Sequence, residues 1–217
     1  MNKDIRKQLG IDENKPNDWF ETLYANVDES GKGVPWANMA PHPVFQQWMD
    51  KTPQDGAGKK ALVVGCGMGD DALALEARGF EVTAFDVSKS AIDLCNNRFP
   101  NAATSFVTAD LLAGIPEWNE RFDFVLEIYT VQALPPKFEE VAIKNIADFV
   151  AQGGELLVVT EVQNAKRVFE VGPPWLLNPS YVDSFEHCGL KMVYQEDNHH
   201  TSKGDAQHLT LFQKLQP

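Results

Sequence analysis

The segment Ala61-Leu-Val-Val-Gly-Cys-Gly-Met-Gly-Asp-Asp71 constrains the fold of this chain more than any other stretch. A short apolar run, a glycine-rich bend and an acidic helix start specify a buried strand, a tight turn and a helix. Gly65 and Gly67 let the backbone turn sharply and come close to a ligand, where a Cβ would obstruct it. Gly65, Cys66, Gly67 and Gly69 are therefore candidate ligand-binding positions. The dinucleotide pattern G-x-G-x-x-G needs its third glycine where this chain has Asp70, followed by Asp71. Two carboxylates would repel a pyrophosphate and attract a ligand that carries positive charge, so Asp70 joins the candidates.

Around this segment, strand and helix signals alternate. The aromatic-rich stretch from Asn17 to Asp50 reads as helix, loop, helix, with Asp28 to Pro35 as the irregular connection. After the glycine bend, a helix stopped by Gly79 leads to a second strand, Glu81 to Phe85. Ser88 N-caps the next helix, whose Ala91, Leu94 and Cys95 share one face. Strands are expected at Thr104 to Val107 and Phe122 to Ile128. A helix carrying Ala142, Ile146, Phe149 and Val150 is then expected to end at Gly153-Gly154, ahead of a strand from Glu155 to Val162. Asn178-Pro179 reads as N-cap and first position of a last helix stopped by Gly189. Lys191 to Gln195 and His208 to Leu215 close the chain as two strands joined by a polar loop. The expected fold is α/β and Rossmann-like: a mostly parallel seven-stranded sheet with an antiparallel C-terminal strand and helices on both faces. It is read as a single domain over residues 1–217, with 1–58 as an aromatic helical segment that could act as a lid and 59–217 as the α/β core.

Composition narrows the partners. With 19 basic against 31 acidic residues, the formal charge of −12 opposes nucleic acid, and no cluster of Lys and Arg offsets it. A small molecule is the expected partner; nothing in the sequence speaks to oligomeric state. Cys66, Cys95 and Cys188 lack metal-ligand spacing, so no metal site and no disulfide framework is expected. The N-terminal residues carry no apolar signal region and no run is apolar enough to span a bilayer, so a cytoplasmic setting is expected.

Other candidates stand at strand ends. Asp86, with Val87 after it, closes the second strand 19 residues beyond Gly67, where an acid accepts hydrogen bonds from ribose hydroxyls; a turn-forming Asp ahead of Ser88 is the other reading. Asp110 and Leu111 follow the third strand and could border an adenine ring, or Asp110 could simply cap the next turn. Glu127 and Ile128 end the fourth strand, and a glutamate inside an apolar run needs a partner such as a cation.

Together these motifs resemble the class I S-adenosylmethionine-dependent methyltransferases. The likeness runs from Lys60 to Val162 through Val63-Val-Gly-Cys-Gly-Met-Gly69, Val82-Thr-Ala-Phe-Asp86, Thr108-Ala-Asp-Leu111 and Phe122-Asp-Phe-Val-Leu-Glu127. S-adenosylmethionine carries both an ammonium and a sulfonium and fits the acidic bend, whereas NAD does not. A finer resemblance is to the thiopurine, thiol and halide methyltransferase branch. It rests on Trp19-(x4)-Tyr24, Val34-Pro-Trp36, Tyr129-Thr-Val-Gln-Ala-Leu-Pro-Pro136 and Gly172-Pro-Pro-Trp175. In that branch the N-terminal aromatic segment covers the cofactor, which makes Trp19 and Trp36 candidate contacts, with ordinary packing as the alternative. The strand-four loop departs from the thiopurine enzymes, so no thiopurine substrate is implied.

Methyl transfer from a sulfonium needs chiefly placement and exclusion of water. A thiolate or halide acceptor needs no base. Tyr129, Gln132 and Trp175, from loops after the fourth and fifth strands, are candidate acceptor-side residues, and His42 is the least improbable base. The expected activity is methyl transfer to a small molecule, with sulfur or another soft nucleophile favoured. An O- or N-methyltransferase and a non-catalytic cofactor-binding protein are the alternatives.

Overall fold

In the computed structural model, the apolar run of the glycine segment is strand β1 (Lys60–Val64), whose last four residues are buried. Unbroken apolarity suits a parallel strand covered on both faces. The structure describes residues 7–53, 55–198 and 206–215, and the chain divides into two compact units that meet between Asp110 and Leu111 in sequence.

The first unit opens with helices α1 (Asp18–Tyr24) and α2 (Pro43–Lys51), as the aromatic stretch predicts. Trp19, Tyr24, Phe45, Trp48 and Met49 are buried. β1 pairs in parallel with β2 (Glu81–Asp86), and β2 with β3 (Ser105–Thr108), in the order β3-β2-β1. Helix α3 (Asp70–Glu76) follows β1, and α4 (Lys89–Arg98) follows β2. Ser88 caps α4 as predicted, its hydroxyl accepting the Ala91 N–H at 3.1 Å. This topology sets the carboxyl ends of β1, β2 and β3 side by side, where ligands bind in open α/β sheets.

The second unit contains β4 (Phe122–Ile128), α5 (Glu139–Phe149), β5 (Val150–Val162), α6 (Tyr181–His187), β6 (Leu190–Asn198) and β7 (Ala206–Lys214). β4 and β5 are parallel, and β7 runs antiparallel to both β5 and β6, in the order β4-β5-β7-β6. The seven strands with one reversed member are the Rossmann-like arrangement the sequence predicts.

Two boundaries differ from expectation. Helix α5 ends at Phe149 rather than at Gly153-Gly154, and β5 begins at once with Val150. The glycines instead serve an irregularity in β5, where pairing jumps from Phe122↔Val150 to Phe124↔Glu155. A Cβ on Gly154 would stand 2.9 to 3.1 Å from the carbonyl oxygens of Ala151, Phe122 and Asp123, so no side chain fits there. Asn178-Pro179 does not start α6, whose N-cap is Ser180. The Asn178 amide donates to the carbonyls of Gln163 at 2.9 Å and Ala165 at 3.1 Å, holding a turn ahead of the helix. The polar loop with His199 and His200 lies outside the described residues. Among the described residues no helix is long and apolar enough to cross a membrane, and no group of His, Cys, Asp or Glu is placed to hold a metal ion.

Candidate functional site

At the carboxyl ends of β1 and β2, the glycine bend and Asp86 are joined directly. Asp86 Oδ2 accepts the Gly67 N–H at 3.0 Å and Oδ1 accepts the Ser88 N–H at 2.9 Å. Burial pushes the Asp86 carboxyl up to about 6, against the pull of those amides. Asp86 thus shapes the turn before Ser88, one of its two expected readings. Asp86 O also accepts the Ala109 N–H at 3.0 Å, which ties the approach to Asp110 at the end of β3 to the end of β2. Val87 and Asp110 are partly exposed on these ends.

Above the bend sits the aromatic segment. Trp36 Nε1 donates to the Tyr24 hydroxyl at 2.9 Å, and the Trp36 ring meets Trp19 edge-on at 5.9 Å. A Cβ on Gly67 would fall 2.8 Å from the Tyr24 oxygen, and φ there is +52°. The close approach that Gly67 permits is thus made by this chain's own Tyr24, the second aromatic of the Trp19-(x4)-Tyr24 motif. Trp19 is buried with its Nε1 donor unpaired, while Trp36 is 38% exposed. Gly69, at φ +85°, is crowded by Cys95, Phe106 and Phe99 at 3.0 to 3.2 Å from the Cβ position, so it serves packing. Gly65 turns at φ +61°. Cys66 donates its N–H to the Phe85 carbonyl at 2.8 Å, and its thiol, beside Cys95 and buried, is pushed well up and stays protonated.

The acidic rim differs from the expected free pair. Asp70 is held by Arg98 through two 2.8 Å hydrogen bonds, so its charge is neutralised inside the fold. Asp71 accepts the His42 backbone N–H at 2.7 Å, and burial pushes its carboxyl up to about 6. Arg98 carries no sequence signal for this role, because it simply occupies the last turn of α4. His42 precedes α2, and burial lowers its imidazole to about 4, so it is neutral at pH 7 and a weak base.

In the second unit, Glu127 ends β4 almost completely buried. Its Oε1 accepts the N–H groups of Thr130 at 2.6 Å and Val131 at 3.0 Å, while Oε2 has no partner. Burial raises its carboxyl to about 7. Ile128 beside it is partly exposed, and Leu111 is buried, its carbonyl accepting from Asn145 Nδ2 at 2.7 Å. Tyr129 adopts φ +61°, a strained conformation for a residue with a Cβ, and its hydroxyl accepts from Gln207 Nε2. Gln132 and Trp175 are committed internally. Gln132 Oε1 accepts from Thr160 Oγ1 at 2.6 Å and Glu161 N at 2.8 Å, and Trp175 Nε1 donates to the Phe169 carbonyl at 3.0 Å. The Trp175 ring also lies against Gly172, so both side chains help to build the loops.

Residues 61–154 match the family model for a methyltransferase domain. The chain is thus similar, over that stretch, to a methyltransferase domain. It is 26% identical over 153 residues to a probable thiol methyltransferase of Arabidopsis thaliana, covering 69% of this chain but 63% of that protein, just under two thirds of its length. It is also 26% identical over 211 residues to a thiocyanate methyltransferase of the same plant, covering 87% of each. A solved S-adenosylmethionine-dependent methyltransferase from Methanosarcina mazei shares the fold, with a TM-score of 0.64, 19% identity and coverage of 82% of this chain and 100% of that one. Within the first unit, a buried carboxylate bonded to the glycine bend and an unpaired indole donor at Trp19 suit the chemistry of S-adenosylmethionine.

Proposed function

We propose that this chain is a methyltransferase that moves the methyl group of S-adenosylmethionine to a small molecule, with a thiolate, hydrosulfide, thiocyanate or similar soft nucleophile as acceptor. The Asp86–Gly67 hydrogen bond carries the reading, because it fixes a buried acid suited to ribose hydroxyls against the glycine bend. Relatives named for thiol and thiocyanate acceptors support the acceptor class.

Bound S-adenosylmethionine supplies a methyl group that is already activated on a sulfonium and leaves a neutral thioether. Asp86 accepts the ribose hydroxyls while keeping its bonds to Gly67 and Ser88. Asp110, with Val87, borders the adenine. Backbone of Gly65, Cys66, Gly67 and Gly69 receives the methionine part; in the second unit, Glu127 Oε2 is an acceptor suited to an ammonium. Trp19 and Trp36 offer aromatic faces to positive charge. Asp70, neutralised by Arg98, acts by holding the bend in shape. Tyr129 and the loop built by Gln132 and Trp175 shape the acceptor side. A soft anion arrives deprotonated, so no residue must take a proton, which accords with His42 being so weak a base.

Calorimetry with S-adenosylhomocysteine tests the cofactor, and absence of binding at millimolar ligand would overturn it. A panel of thiols, halides, phenols and amines tests the acceptor. Turnover that rises with thiolate fraction supports sulfur, whereas turnover confined to phenols or amines would move the acceptor to oxygen or nitrogen.

A further inference from the structure

Glu21 stands on α1 between Trp19 and Tyr24, and its carboxylate reaches the start of α4. Oε2 accepts from Ser88 Oγ at 2.7 Å and from Ser90 N at 3.1 Å, and Oε1 accepts from Ser90 Oγ at 2.6 Å. Ser88 is the residue that caps α4 and gives its N–H to Asp86. A hydrogen-bonded chain therefore runs from Glu21 through Ser88 and Asp86 to Gly67, entirely within the first unit. Such bonds to a charged carboxylate are stronger than neutral ones, and the positive end of α4 adds to them. The Ser90 bonds, more than those from Ser88, hold the Glu21 carboxyl below its ordinary range, so it is ionised at neutral pH.

Two consequences meet in this one side chain. Glu21 fastens the helix whose Tyr24 hydroxyl lies on Gly67 and whose Trp19 abuts Trp36. It also fixes Ser88, and through it the oxygen of Asp86 that faces away from Gly67. We propose that Glu21 is a positioning residue for the cofactor, holding the aromatic segment over the glycine bend and presetting Asp86 before the ligand arrives. This role rests on the reading of the first unit as the cofactor site. Order established in advance lowers the cost of binding, so the effect falls on affinity and not on methyl transfer itself.

The test compares wild type with Glu21→Ala, Glu21→Gln and Ser90→Ala. Loss of three charge-assisted bonds in Glu21→Ala should raise the S-adenosylhomocysteine Kd and the donor KM about tenfold, with kcat at saturation within about twofold. Glu21→Gln, which can still accept from Ser88 and Ser90, should recover most of the affinity. Ser90→Ala, a milder change at the helix surface, should give a smaller rise in Kd and keeps the test available if Glu21→Ala does not fold. Wild-type Kd in both Glu21→Ala and Ser90→Ala, or a fall in kcat with KM unchanged, would overturn the role. Failure of wild type itself to bind S-adenosylhomocysteine would instead remove the cofactor reading and the role with it.

Discussion

Arg98 grips Asp70 through two parallel hydrogen bonds of 2.8 Å each, and the same guanidinium donates to the Met68 carbonyl. The two side chains are only 10% and 15% exposed. A carboxylate that by sequence alone should face a cationic ligand is thus a strut between α4 and the glycine bend. Removing one partner of a nearly buried pair leaves the other charge uncompensated. Arg98→Ala should therefore cost roughly 3 kcal/mol in urea denaturation. A loss below about 1 kcal/mol, the range of exposed pairs, would show that Asp70 is solvated and free to meet a ligand.

Gly67 offers a second test of how the bend is built. An added Cβ would come 2.8 Å from the Tyr24 hydroxyl at a φ of +52°. Gly67→Ala should destabilise the chain by about 1–3 kcal/mol through backbone strain and displace Tyr24. Combining it with Tyr24→Phe removes the crowding oxygen and should restore part of the loss, leaving the strain. If the double variant is no more stable than the sum of the two single changes, Tyr24 is not what crowds the site.

These two positions show what can be read from the chain and what cannot. Gly67 and Asp86 were recognisable because strand, bend and second strand are spaced by local periodicity, and the same holds for the Ser88 cap. The Arg98–Asp70 pair and the Tyr24–Gly67 approach join residues distant in sequence, and no periodic pattern encodes which long side chain folds back where. The end of α5 was misplaced for a related reason. Val150 continues the apolar stripe of the helix while opening β5, and the glycines that look like a stop belong to an irregular strand pairing. At Gln132 and Trp175 the residue types suit a pocket wall, and the bonds of Gln132 Oε1 and Trp175 Nε1 within the loops, again between residues distant in sequence or set by the loop's path, could not be read from the chain.

Asp71 makes a prediction about pH. Its folded-state carboxyl is pushed up to about 6 by burial, so the native state binds a proton that the unfolded chain releases near the ordinary value of 3.8. The contribution is therefore fully present below that ordinary value and is lost as pH rises through about 6. His42, lowered to about 4, has the opposite slope, because there the unfolded chain holds the extra proton up to its ordinary 6.5. Comparing variant with wild type isolates the carboxylate. Asp71→Asn keeps an oxygen for the His42 N–H, should gain on the order of 2 kcal/mol over wild type at pH 8, and should show little difference at pH 4. A difference that does not change between those pH values would mean that Asp71 titrates normally in the folded state.

Glu127 links protonation to ligand binding. Its Oε2 is buried without a partner and its carboxyl is raised to about 7 by burial, so near neutral pH the group is half protonated. In the proposed role of Glu127, an ammonium reaching Oε2 would favour the carboxylate, and the displaced proton would leave the protein. Calorimetry of S-adenosylhomocysteine binding at pH 7, in buffers of different ionisation enthalpy, should register release of roughly half a proton per site, falling toward zero by pH 9. Glu127→Gln should abolish the release and weaken binding, since a neutral amide cannot pair with the ammonium while its oxygen serves Thr130 and Val131. Binding without any proton release at pH 7 in the wild-type chain would assign the ammonium to backbone carbonyls of the glycine bend and leave Glu127 as a cap for the turn after β4.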